Sequence, residues 1–202
     1  MVCLHLIMQR WKRAWVWLTR IGHCRGFGVQ SPTDYRFVRG VINEHAPYYL
    51  YEDLARELPG LDSLKRKMCR LYFRLSNHCQ AAAYIDLLPE DASRRYVSAA
   101  CGKTRVQGFA NPDEVCKVAF STPLMARAAC TAATKAAIDH LLSQQGGDVL
   151  VVLEGIKDND EARGCWKEWE NHPLAAITYD LYYCGIIIAT KRRYKKNYII
   201  NF

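Results

Sequence analysis

Two acidic residues sit where an α/β protein does its chemistry. Asp86 closes the apolar run "AAAYID", and Glu154 follows "VLVVL". Carboxylates at the carboxyl ends of buried strands can accept hydrogen bonds from a ligand's hydroxyl groups. They can also cap a helix or pair with an arginine. The stretch "AAAYIDLLPEDASRRYVSAACG", residues 81–102, reads as strand, loop and helix, the unit that cradles a nucleotide cofactor in many α/β enzymes. Such loops use glycine to bring the backbone close to the ligand. Here no glycine stands between Ala81 and Cys101.

Other chemistry has weaker signals. The nine cysteines include no C-x-x-C pair, and the six histidines are scattered, with no H-E-x-x-H. No metal site is evident. Unclustered thiols in apolar surroundings suggest a reduced, cytoplasmic protein. The start, "MVCLHLIMQRWKRAW", has its basic cluster after the apolar residues rather than before them, which argues against a secretory signal. Met8 is an alternative natural start. No apolar run approaches the length of a transmembrane segment.

The elements that must position Asp86 and Glu154 follow from periodicity. Residues 8–21 suggest a helix with Trp11, Trp15, Leu18 and Ile21 on one stripe. Three roles suit it: packing on its own domain, lying on a membrane surface, or docking a partner. Ser31-Pro32-Thr33-Asp34 is a helix start, with Ser31 as cap and Pro32 in the first turn. A short helix is expected within 43–62. Residues 63–79 form the clearest helix, with Leu64, Met68, Leu71, Tyr72, Leu75 and Cys79 inward and Lys65, Arg66, Lys67, Arg70 and Arg74 on a solvated face.

From residue 81 the pattern becomes strand–helix–strand. Strands are expected at 84–88, 104–109 and 115–120, with a helix at 91–101. Residues 121–145, rich in alanine and opened by Pro123, read as one long helix ended by Gly146-Gly147. A buried strand at 148–153, a helix near 161–170, two strands turning at 183–185 and a last strand at 198–202 complete the chain. Alternation of this kind implies a doubly wound, Rossmann-like sheet with helices on both faces and a terminal antiparallel strand. The expected organisation is an N-terminal helical region, 1–79, and an α/β domain, 80–202.

"GFGVQSPTDYRFVRGVI" near the start and "VLVVLEGI…CWKEWENHPLAAITYDLYYCGIIIATKRR" near the end resemble a methyltransferase-like family of Bacteroides-type bacteria. It falls among the class I S-adenosylmethionine-dependent methyltransferases, and the matching segments cover roughly a third of the chain. The resemblance implies a methyltransferase-type sheet, S-adenosylmethionine as cofactor, and Asp86 and Glu154 as cofactor-site residues. The sequence departs from that pattern. Leu88 stands at the first glycine position, and "PEDASRR" is bulky. The second strand has no acid at its end, Asp113 lying four residues beyond Phe109. Ser121 stands where the fourth strand normally ends in an acid. About one helix–strand unit is missing between Ala110 and Asp148, so the sheet is shortened in the middle.

The preferred expectation is therefore a methyltransferase-like protein with a degenerate cofactor site that binds or scaffolds a small molecule or protein partner. The first alternative is an active S-adenosylmethionine-dependent O-methyltransferase with a modified site. The second is a basic nucleic-acid-binding module. The net charge is +8, split as +7 over residues 1–74, −4 over 75–190 and +5 over 191–202. Basic ends on an acidic body suit an anionic partner or surface.

Overall fold

The structure is a computed structural model that describes residues 11, 13–144, 146–190 and 194–202. Trp11 and residues 13–19 (α1) are helical. The expectations for residues 8–10, 145 and 191–193 lie outside the described residues. A 3-10 segment, Ile21–Gly26, leads to α2 (Pro32–Phe37), which widens into a π turn at Val38–Ile42. The remaining elements, in chain order, are α3 (Leu50–Glu57), α4 (Ser63–Cys79), β1 (Ala83–Asp86), α5 (Ala92–Ala100), β2 (Arg105–Gly108), α6 (Pro112–Val115), β3 (Leu124–Ala129), α7 (Lys135–Leu142), β4 (Val149–Glu154), α8 (Asp160–Asn171), β5 (Ile177–Asp180), β6 (Cys184–Ala189) and β7 (Lys196–Ile199).

The seven strands form one sheet in the order β2-β1-β3-β4-β6-β5-β7. β2, β1, β3 and β4 pair in parallel, and β6 is antiparallel to both of its neighbours. β7 adds in parallel to β5 at the far edge. The fold is thus mixed α/β, with a central sheet flanked by helices.

Side-chain alternation assigns the two faces. Leu124, Ala126 and Ala128 of β3 and Val149, Val151 and Leu153 of β4 pack with Ile138 and Leu141 of α7 and Trp166 and Trp169 of α8. The intervening Met125, Leu150 and Val152 pack with Leu71, Tyr72 and Leu75 of α4, Val97 of α5 and the π turn. One core therefore runs from the N-terminal helices into the sheet.

The helix starts obey their caps. Ser31 accepts a bond from the Asp34 amide at 3.4 Å, and Asp62 accepts from the Leu64 and Lys65 amides at 2.8 and 2.9 Å. Asn159 does the same for the Ala162 amide at 2.7 Å.

The middle of the chain differs from expectation. Residues 115–120 form no strand; α6 ends there. Leu124–Ala129, expected inside a long helix, is the buried strand β3, and only Lys135–Leu142 of that stretch is α-helical. Alanine favours a helix in isolation, but tertiary context overrides propensity in a strand buried on both faces. Small side chains in β3 let α7 approach the sheet. The last strand also begins earlier, at Lys196 rather than Tyr198.

Two more expectations change. The helix α1 buries Val16, while Trp11, Trp15, Leu18 and Ile21 stay exposed, so the stripe faces outward. The basic residues of α4 are also not simply solvated. Lys65 bonds Glu90 at 3.0 Å, and Arg66 donates to the Leu61 carbonyl. Lys67 lies over the Phe202 ring and Arg70 over the Tyr51 ring. Arg74 is buried and donates to the Val41 and Ile42 carbonyls at 2.6 and 3.0 Å. Among the described residues no helix is long and apolar enough to cross a membrane.

Candidate functional site

β1, β3 and β4 lie side by side, and their registers bring three charged residues together. Asp86 stands directly opposite Arg127 of β3, and Glu154 is two residues beyond Arg127's partner Val152 in β4. Alternation puts all three on the sheet face that α4 and α5 cover. The chain leaves β1 for β2 on one side and returns as β3 on the other. This is the switch point where open α/β sheets bind ligands.

Arg127 sits at the centre, its side chain 5 % exposed. Its Nε donates to Glu154 at 2.7 Å. One terminal nitrogen lies 3.4 Å from each Asp86 oxygen, 2.9 Å from the Ser93 hydroxyl and 3.3 Å from the Glu90 carbonyl. The other donates to the Glu90 carboxylate at 2.8 Å. Every guanidinium nitrogen is thus engaged, each with a different carboxylate. Its carbon lies 5.4 Å from the centre of the Tyr72 ring.

Each acid has further partners. Asp86 is fully buried and accepts bonds from the Leu88 amide at 3.0 Å, the Ser93 hydroxyl at 2.9 Å and Arg94 Nε at 3.1 Å. Arg94 also donates to the Leu88 carbonyl at 3.0 Å. Its guanidinium lies so close to Gly108, at the end of β2, that a Cβ there would stand 2.6 Å from it. Glu154 accepts a bond from the Tyr72 hydroxyl as well as from Arg127. Burial, and then the Glu154 carboxylate, push the Tyr72 phenol well above its ordinary value, so it remains a donor. Glu90 is held below its ordinary 4.5, first by its hydrogen bond from Lys65 and then by Arg127.

Three carboxylates, Asp86, Glu90 and Glu154, therefore face three cations, Arg94, Arg127 and Lys65. Charge balances, and these groups bond one another across the carboxyl ends of β1, β3 and β4. S-adenosylmethionine does not fit this arrangement. The Asp86 oxygens already accept bonds from the Leu88 amide, Ser93 and Arg94, and the Arg94 guanidinium lies against Gly108 at the end of β2.

The sequence-predicted residues Asp86 and Glu154 do meet, through Arg127. Asp113 does not join them: it lies exposed in the first turn of α6. Ser121 precedes β3 rather than ending a strand, so the residue facing Asp86 is Arg127. Periodicity missed Arg127 because "LMARAA" reads as helix. The usable signal was its alternation, with Met125 and Arg127 two apart between small residues.

A separate cleft lies elsewhere. It encloses about 1060 Å³ at the amino ends of β3 and β4, the opposite end of the strands from Glu154. Phe37, Val41, Leu124, Leu150 and Tyr179 give it an apolar floor, with Arg36 also at its wall. His78 and Cys79 line it too, but burial lowers the first and raises the second to about 12. A neutral imidazole beside a protonated thiol supplies no activated nucleophile at neutral pH. Among the described residues no group of three His, Cys, Asp or Glu side chains is placed to hold a metal ion, and the eight described cysteines are free thiols.

No family model matches this sequence, and no curated protein matches it.

Proposed function

We propose that this chain is a methyltransferase-type α/β protein whose cofactor crevice is filled by its own side chains, and that it acts by binding a partner rather than by methyl transfer. The observation that carries this reading is the engagement of Arg127. Its guanidinium spends its hydrogen bonds on Asp86, Glu90, Ser93 and Glu154 at the switch point. Those strand-end acids are the groups a cofactor would need. The strand order, with one antiparallel strand inserted between β4 and β5, supports the kinship; the missing helix–strand unit is a departure from it. The cleft at the far end of β3 and β4 supports a binding role, since it offers a mainly apolar concave surface edged by Arg36, His78 and Asp148. The internal use of Lys65, Arg66, Lys67, Arg70 and Arg74 weighs against nucleic acid on that helix.

Isothermal titration with S-adenosylmethionine and with S-adenosylhomocysteine tests the proposal. No heat for either ligand, from protein with native circular dichroism, is expected. Micromolar binding, about −8 kcal/mol, overturns it. That result requires Arg94 and Arg127 to swing aside, and it favours the active methyltransferase.

A further inference from the structure

Three of the five tryptophans lie in α1 and just before it, and all face solvent. Trp11 is 73 % exposed, Trp15 69 % and Trp17 50 %, with Leu18 at 54 % and Ile21 at 56 %. Phe27, a few residues on, is 77 % exposed. Trp11, Trp15 and Leu18 stand at i, i+4 and i+7, one stripe of a helix. The stripe is held in place rather than trailing. Val16 is buried beneath it, and Arg20 donates to the buried Asp180 carboxylate at 2.8 Å. The Asn201 side chain donates to the Trp17 carbonyl at 3.1 Å. An apolar patch of this size at a fixed position marks a contact surface.

Charge identifies what it contacts. Residues 1–33 carry Arg10, Lys12, Arg13, Arg20 and Arg25 and no acid; the first is Asp34, which is buried. We propose that α1 is a membrane-surface helix that seats Trp11, Trp15, Leu18 and, just beyond its end, Ile21 in the interface of an anionic lipid bilayer. The indole ring suits the boundary between headgroup and acyl chain, being apolar with one polar N–H. Arg20 is already paired with Asp180, so Arg10, Lys12, Arg13 and Arg25 supply the attraction to acidic headgroups. Leu18 and Ile21 distinguish this from nucleic acid, where an aliphatic side chain has no base to stack on. This inference stands independently of the proposed function.

The test is co-sedimentation with vesicles of phosphatidylcholine plus phosphatidylglycerol and with vesicles of phosphatidylcholine alone, at low and high salt. Tryptophan emission reports the site, because Trp166 and Trp169 are already buried and only the exposed three can shift. Binding to anionic vesicles is expected to exceed that to neutral ones by about tenfold or more, since each basic residue near the surface contributes about fivefold. It should weaken with salt and bring a blue shift. A Trp11→Ser, Trp15→Ser variant, altered only at exposed positions, is expected to keep its melting temperature and lose about tenfold in binding. Failure of folded wild type to bind anionic vesicles at low salt overturns the proposal. So does undiminished binding by the folded variant, retention on single-stranded RNA without retention on vesicles, or a dimer that buries the stripe and leaves the vesicles untouched.

Discussion

Arg127 decides how the switch point behaves. A buried guanidinium between Asp86 and Glu154 is costly to desolvate, and the pairing offsets that cost only while both sides are present. Replacing it by an apolar side chain leaves the buried Asp86 with only the partly exposed Arg94 as counter-charge, and leaves Glu154 with the Tyr72 hydroxyl alone. Arg127→Met is therefore expected to destabilise the fold by about 3–5 kcal/mol, read as a lower urea midpoint with unchanged slope. A midpoint equal to wild type would mean that Arg127 is poised for a ligand rather than holding the sheet. The two acids were legible in the sequence because each ends an apolar run. Their partner was not, because an arginine among alanines carries no strand signal until its neighbours' positions are known. The absence of glycine from the loop after Asp86 was readable at Leu88. What filled the gap was not.

At the scale of the elements, close approaches discriminate structural from adjustable contacts. Gly185 of β6 lies under Trp166 of α8, and a Cβ there would fall 2.2 Å from the indole ring. Gly185→Ala must push a buried helix off the sheet, and a loss of about 1–3 kcal/mol is expected. Gly108→Ala meets only the far end of the Arg94 side chain. That end can turn toward solvent, so the change should cost clearly less. Thermal denaturation of the two variants compares them; equal losses would show that Arg94 is as rigidly held as Trp166. α2 was legible from its Ser31 cap, a local rule, and α4 from its apolar periodicity; the Asp62 and Asn159 caps of α4 and α8 emerged only in the structure. β3 was not, since its strand state is imposed by β1 and β4 on either side. β4, with six apolar or strand-end residues in a row and Gly146-Gly147 before it, needed no such help.

For the whole molecule, the shared core is the governing fact. Leu71, Tyr72 and Leu75 of α4 pack against Tyr84, Met125 and Val152 of the sheet. A chain of residues 80–202 alone would expose that face, and it is expected to show no cooperative thermal transition. A sharp transition in the fragment would mean that the sheet carries its own stability. Charge segregation was legible from composition, and the outward turn of the tryptophan stripe was not, because periodicity gives a face but not its direction. The ends of the described chain are also coupled. The Asn201 amide donates to the His23 carbonyl at 3.0 Å, and Arg20 bonds the Asp180 and Ile200 carbonyls at 3.0 and 3.3 Å. Chain ends normally fray independently and exchange their amide protons first. Here neither segment opens without breaking bonds of the other, so the two share one opening equilibrium. Whatever settles on the tryptophan helix therefore also slows amide exchange at the edge of the sheet, at β5 and beyond it, without touching either strand.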